Sequence, residues 1–293
     1  MFFQRLVLAT LPLTAGCSTQ VDGGNPDLAS TGVIVLDGGF PDGGNCSDYC
    51  AAPERCIITP TDAGTTLIQC YTDHTGRRPA TLRPAALAAG ESELGRLFAQ
   101  MAHLEAASVH AFQTLAGELR AYGATDRLVA AALRAADDEV RHTRLMSGLA
   151  RQFGGQPVAP EVDPPASRSL EEIALENAVE GCVRESFGAL VATWQAHAAC
   201  DPTVRRAMMV IAADETRHAE LAWSIAGWSG TRLDGTARAR VAEARQAALS
   251  HLRLETTREP GAELVSRAGV PSTAHAQTLL AAFTLEVERR AAA

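Results

Sequence analysis

The string DEVRH occupies residues 138–142, and the closely similar string DETRH occupies residues 214–218. In each string a Glu precedes a His by three positions, so on a helix both side chains lie on one face. Apolar residues continue that face in both segments, namely Leu128, Ala132, Ala135, Met146, Leu149, Met208, Ile211, Leu221 and Ile225. Both Glu–His pairs are therefore predicted to point into a packed interior rather than into water.

Two further acids stand alone inside apolar helical stripes. Glu105 precedes Glu139 by 34 residues, and Glu180 precedes Glu215 by 35 residues. Both lone acids are followed seven positions later by a Phe. The near-equal spacing indicates an internal repeat of two helical hairpins related by a pseudo-twofold axis.

Four acids that converge in one interior need cations or protons among them. A single Glu-x-x-His is more often a solvated face or a local ion pair, but a buried charge costs several kcal/mol even after relaxation. Two divalent ions would balance four carboxylates, and each His adds a neutral nitrogen. The sequence thus predicts a two-metal site, with the ligands Glu105, Glu139, His142, Glu180, Glu215 and His218.

Over residues 92–227 the chain resembles the ferritin-like di-iron carboxylate superfamily, on the strength of the paired D-E-x-R-H strings and the two lone acids. The resemblance implies a four-helix bundle with one crossover connection. It also implies two iron ions, with manganese as the alternative, and Glu139 and Glu215 as the bridging ligands.

The residues around these ligands carry predictions of their own. Asp138 and Asp214 each precede a His by four positions, so each could accept the outer ring N–H of a His on its own or the opposite helix. Arg141 and Arg217 would pair with these acids. Two other acids in the third helix complicate the ligand set: Glu176 is an additional or alternative ligand, whereas Glu185 is expected to turn away from the metals.

The pattern of apolar residues and helix signals predicts an all-α architecture. The predicted bundle spans residues 91–228, with a longer Pro-rich connection between its second and third helices. A C-terminal helical extension follows over residues 229–293. The predicted helices cover residues 91–122, 126–154, 169–200, 202–227, 236–254 and 272–290.

The first 17 residues are typical of an export signal, with Arg5 ahead of an apolar run that is too short to anchor a bilayer. Residues 13–17, LTAGC, resemble the lipobox of bacterial lipoproteins, which implies lipidation at Cys17. An ordinary cleaved signal is the alternative. The prediction is an exported protein that is lipid-anchored to the bacterial cell envelope.

Glycine pairs among Asp and Pro predict a flexible linker over residues 18–45. Residues 46–80 form a small Cys-rich module, with a short strand indicated at residues 66–68. In an exported protein its cysteines predict two disulfides with three possible pairings. A zinc site is the rival interpretation, although no C-x-x-C pair is present. The four cysteines are Cys46, Cys50, Cys56 and Cys70.

The net charge of −8 and the pI of about 5.5 argue against nucleic acid as a partner. Three functions remain open for the predicted site. The first is an oxidase or oxygenase that uses O₂, a small molecule and, for an oxygenase, an external electron donor. The second is ferroxidase or peroxide-scavenging activity. The third is non-catalytic metal binding at the envelope, and the substrate stays undefined in each case.

Overall fold

The structure is a computed structural model, and it describes residues 33–37, 55–60, 65–71, 76–83, 92–257 and 259–291. The predicted signal peptide, Cys17, Cys46, Cys50 and most of the predicted linker lie outside these residues. Helices dominate the described part of the chain.

The N-terminal strands form a small antiparallel sheet in the order β1-β3-β2. They are β1 (Val33–Asp37), β2 (Arg55–Pro60) and β3 (Thr65–Tyr71). β1 lies inside the segment predicted to be a flexible linker, because its run of Val, Ile, Val and Leu favours an extended strand over a tether. Cys56 and Cys70 are Cα partners in the register of β2 and β3.

Four long helical stretches follow. They are α1 (Glu93–Ala121), α2 (Asp126–Gln152), the run formed by α3 (Leu170–Glu176), a π-helical segment (Asn177–Glu185) and α4 (Ser186–Ala198), and α5 (Pro202–Gly230). Ser169 and Glu172 form a capping box at the start of α3, and Asp201 caps α5 ahead of Pro202. The third predicted helix is interrupted by the π-helical segment, which the apolar periodicity of the sequence does not reveal.

The C-terminal residues form α6 (Gly235–Glu255), α7 (Ala262–Arg267) and α8 (Thr273–Ala291). α6 contacts the π-helical segment and α8 contacts α4, and apolar residues of all four enclose a shared core around Phe187 and Phe283. No helix among the described residues has the length and apolar character needed to cross a membrane.

The two cysteines in the helical region differ in state. Because Cys182 and Cys200 lie apart in helical segments, the sequence predicts small core residues, with a free thiol as the alternative. Cys182 is buried as a free thiol, and burial raises its pKa to about 12. Cys200 is disulfide-bonded, which corrects the expectation for that residue.

Two apolar clusters divide the helical interior along its length. One cluster contains Phe98, Met146 and Met208, and the other contains Phe112 and Ile225. The D-E-x-R-H strings lie between them along α2 and α5, so the fold encloses its most polar residues between two apolar layers.

The loop after α2 approaches α1 so closely that Gly155 has no room for a side chain. A Cβ on Gly155 would lie 2.0 Å from the carbonyl oxygen of Gly95. Because overpacking of this kind typically costs about 1–3 kcal/mol, we expect Gly155→Ala to lower the free energy of unfolding by about 2 kcal/mol. Denaturant titration followed by circular dichroism measures the change.

Gly148→Ala is the matched control for that substitution. Gly148 is exposed within α2, and a Cβ there would meet nothing within 4 Å. Ala is favoured over Gly inside a helix by roughly 0.5–1 kcal/mol, so this variant should be neutral or slightly more stable. Equal stabilities for the two variants would contradict the close approach at Gly155.

Candidate metal centre

A first group of side chains converges from α1, α2 and α5. Glu105, Glu139, His142 and Glu215 are all buried, and they offer ligand atoms that lie within 4.8 Å of one another. His142 Nδ1 is 3.3 Å from Glu215 Oε1, 3.5 Å from Glu139 Oε2 and 3.6 Å from Glu105 Oε2. Three carboxylates and one imidazole are a donor set that could hold a metal ion.

A second group adjoins the first and shares Glu139 with it. Glu139, Glu185 and His218 also offer ligand atoms within 4.8 Å of one another, and all three are buried. His218 Nδ1 lies 3.4 Å from Glu139 Oε1 and 3.5 Å from Glu215 Oε1. Since one carboxylate serves both groups, the side chains could hold two adjacent cations with Glu139 between them.

Glu180 lies outside both groups, and Glu185 is the acid that the third helical stretch brings to the centre. Glu180 Oε2 accepts a hydrogen bond from the backbone N–H of Arg78 at 3.4 Å, and Glu180 Oε1 is 3.9 Å from Nε of Arg184. Glu185 is buried and offers a ligand atom to the second group, so the expectation that it turns away from the centre is wrong.

The π-helical segment accounts for this exchange. Its wider turn adds residues relative to an α-helix, so positions after its start are rotated about the helix axis. Glu176, the predicted additional ligand, precedes the segment and instead contacts Arg77 and Arg168. The sequence offered one signal for Glu185, namely an acid set among apolar residues.

Two aspartates hold the outer nitrogens of the histidine rings. His142 Nε2 lies 3.0 Å from Asp214 Oδ2, and His218 Nε2 lies 3.3 Å from Asp138 Oδ2. Each aspartate thus acts across the α2–α5 interface rather than on its own helix. These contacts turn the Nδ1 atoms toward the carboxylates.

Two arginines close the aspartate pair from the solvent side. Arg141 donates to Asp138 at 2.7 Å and also to Asp214. Arg217 donates to Asp138 at 3.0 Å and also to Asp214. The symmetric network fixes both aspartates, and through them both rings, because each carboxylate accepts from both guanidinium groups.

The inward atoms of the two groups lack hydrogen-bond partners among the described residues. The set comprises both oxygens of Glu105, Glu139 and Glu185, Oε1 of Glu215, and Nδ1 of His142 and His218. Buried polar atoms in folded proteins are nearly always paired. A cluster of unpaired oxygens and imidazole nitrogens that point at one another fits a bound cation.

Burial and neighbouring charges raise the pKa values of two acids and of both histidines in the two groups. Burial raises the pKa of Glu105 well above its usual range, and it raises that of Glu185 to about 8 although Arg77 opposes the shift. Burial would lower the pKa of His142 and of His218, but the surrounding carboxylates raise both. Uptake of a cation by these groups would therefore be coupled to proton release.

A small cavity reaches the first group, and a larger surface pocket reaches His218 of the second group. The cavity of about 30 Å³ touches Glu105 and Glu215 and is walled mainly by apolar side chains, including Met101 and Met208. It has room for about one or two water-sized molecules. The surface pocket, about 190 Å³, lies between α2 and α5 beside His218.

Comparison of the chain with protein-family models, with curated proteins and with solved structures found no match. The case for a function therefore rests on the side chains of the centre.

Proposed function

We propose that the chain is a ferritin-like di-metal carboxylate protein whose centre holds two iron ions and reacts with dioxygen or peroxide. The observation that carries the proposal is the pair of buried ligand groups that share Glu139. In this proposal Glu185 replaces Glu180 in the predicted ligand set, and the other predicted ligands keep their roles.

The helix contacts support a ferritin-like bundle as the scaffold. α1 packs along α2, α4 packs along α5, and α2 contacts α5. Short turns join the helices within each pair, whereas residues 153–169 make a longer connection between the pairs. One long connection between two helical hairpins is the topology of ferritin-like folds.

Iron(II) bound by these donors would supply electrons for the reduction of an oxygen species. The side chains of the protein would position the metal ligands and shield the metal ions from water. Asp138 and Asp214 hold the two imidazoles in place, and the apolar walls around Met101 and Met208 limit the entry of water. The same carboxylate and imidazole donors suit manganese, so manganese remains the alternative metal.

The size of the inner cavity favours small reactants. About 30 Å³ beside Glu105 and Glu215 accommodates O₂ or peroxide, whereas the surface pocket lined by His218 is larger, at about 190 Å³. The smaller cavity supports oxidase, ferroxidase or peroxide-reducing chemistry. An oxygenase would in addition require an external electron donor.

We further propose that the protein is exported and lipid-anchored through Cys17, which places this chemistry at the cell envelope. The support is the apolar leader and the lipobox-like string at residues 13–17.

The test is iron loading of the purified full chain. Two equivalents of Fe(II) are added without oxygen, unbound metal is removed, and iron per chain is measured. Oxygen or peroxide is then admitted while the optical spectrum is recorded. We expect two iron ions per chain and the charge-transfer absorption of a ferric pair.

The variant Glu105→Gln serves as the loss-of-site comparison, because it removes a buried ligand of the first group while keeping its shape. Wild-type protein that retains no iron, or that retains iron without reacting with either oxidant, would refute the proposed function.

A further inference from the structure

A buried arginine from outside the long helices reaches the second ligand group. Arg77 lies in the segment 76–83, and its side chain is entirely buried. Its Nε is 3.3 Å from Glu176 Oε1, and its Nη2 donates to Asn177 Oδ1 at 3.1 Å. The backbone carbonyl of Arg77 accepts a hydrogen bond of 2.8 Å from Ser108 on α1.

The third nitrogen of this guanidinium, Nη1, faces the candidate metal centre. Arg77 Nη1 lies 3.7 Å from Glu185 Oε2, beyond hydrogen-bond distance. Arg77 Nη1 has no hydrogen-bond partner among the described residues, and the same holds for both carboxylate oxygens of Glu185. Arg77 thus places a positive charge beside a candidate ligand without engaging that ligand fully.

The charge of Arg77 changes the balance of the centre. The two groups contain four carboxylates, from Glu105, Glu139, Glu185 and Glu215. A guanidinium stays protonated in proteins, so Arg77 keeps a positive charge 3.7 Å from one of the four carboxylates. Two divalent cations would balance the four carboxylates. Glu176 pairs with Nε of Arg77, but Nη1 faces Glu185, so a cation in the group that contains Glu185 would meet the guanidinium charge at close range.

We propose that Arg77 sets the affinity of the second metal position by repelling a cation bound at Glu139, Glu185 and His218. The first group lies on the other side of Glu139 from Arg77 and holds its ion tightly, whereas the ion in the second group is exchangeable. This inference rests on the proposed di-metal function. An exchangeable second ion suits a centre in which ferrous iron is itself a substrate.

The test is a Mn²⁺ titration of the full chain, with free Mn²⁺ counted by electron paramagnetic resonance and heats followed by calorimetry. Wild-type protein should bind two Mn²⁺ in unequal steps. Arg77→Met removes the charge at similar length, so its second step should tighten by about tenfold or more, since charges a few ångströms apart interact strongly in a protein interior. Its first step should change little.

Arg77→Lys is the matched control, because it keeps the positive charge and loses the planar fork. It should bind the second Mn²⁺ about as weakly as wild-type protein does. Arg77→Gln is a second neutral variant that retains a donor for Asn177, and it replaces Arg77→Met if the latter does not fold. The neutral variants should also gain more thermal stability from Mn²⁺ than wild-type protein gains.

The outcomes separate this inference from the function beneath it. Unchanged or weaker second-step binding in the neutral variants would show Arg77 to be only an anchor of segment 76–83, and would overturn the proposal. Tighter binding in Arg77→Lys as well would overturn it too, because charge would not be the cause. If neither the wild-type protein nor any variant binds Mn²⁺, this inference is overturned, and the proposed function fails as well if the wild-type protein also retains no iron.

Discussion

We expect the substitution Glu139→Ala to abolish the uptake of both metal ions. Glu139 is completely buried, and within the part of the chain that the structure describes it is the side chain that belongs to both ligand groups. Loss of a residue that merely orients a ligand typically weakens metal binding about 10–100-fold, so loss of the shared ligand should exceed that range. Metal per chain after desalting and the affinity for Mn²⁺ provide the measurement.

The stability of the variant gives an independent reading. A ligand at 1,000 times its dissociation constant stabilises a protein by about 4 kcal/mol, so Mn²⁺ should raise the melting temperature of the wild-type chain strongly and that of Glu139→Ala hardly at all. Glu220→Ala on α5 is the control, because Glu220 is exposed and pairs with Arg290. Two tightly bound ions in Glu139→Ala would refute the ligand assignment.

The second large effect distinguishes Glu185 from Glu180. Glu185→Gln keeps the size of the side chain but removes the charge that faces Arg77, so a cation in the second group would meet the guanidinium with little compensation. We expect this variant to bind one metal ion per chain. Glu180→Gln should bind two, because Glu180 lies outside both groups and contacts Arg78 and Arg184.

The same metal analysis and Mn²⁺ titration apply to both variants, with circular dichroism to verify that each is folded. The reverse result, with two ions in Glu185→Gln and one in Glu180→Gln, would restore Glu180 as the ligand. It would also mean that the π-helical segment changes its register when metal binds.

The periodic pattern of the sequence predicts the long helices well, since apolar spacing and helix caps are local properties. The convergence of Glu105, Glu139, His142, Glu215 and His218 also follows from local pattern, because each lies on an apolar helix face. The exchange of Glu180 for Glu185 does not follow. A π-helical turn alters which positions share a face, and the 3.6-residue period used to read the sequence assumes that no such turn occurs.

Tertiary contacts decide the remaining features. The sequence left open whether Asp138 and Asp214 hold a histidine on their own helix or on the opposite one, and only the packing of α2 against α5 selects the opposite helix. The sequence does not reveal the burial of Arg77 either, because arginines are mostly exposed and Arg77 falls within residues 46–80, the predicted Cys-rich module.

Cys182 is a free thiol in a chain that also contains a disulfide at Cys200. Exchange between a thiol and a disulfide requires a thiolate that can reach the sulfur under attack. Cys182 is fully enclosed and its pKa is about 12, so at neutral pH it is almost entirely the unreactive thiol. In an oxidising compartment the native fold would therefore keep this residue from scrambling the bond of Cys200.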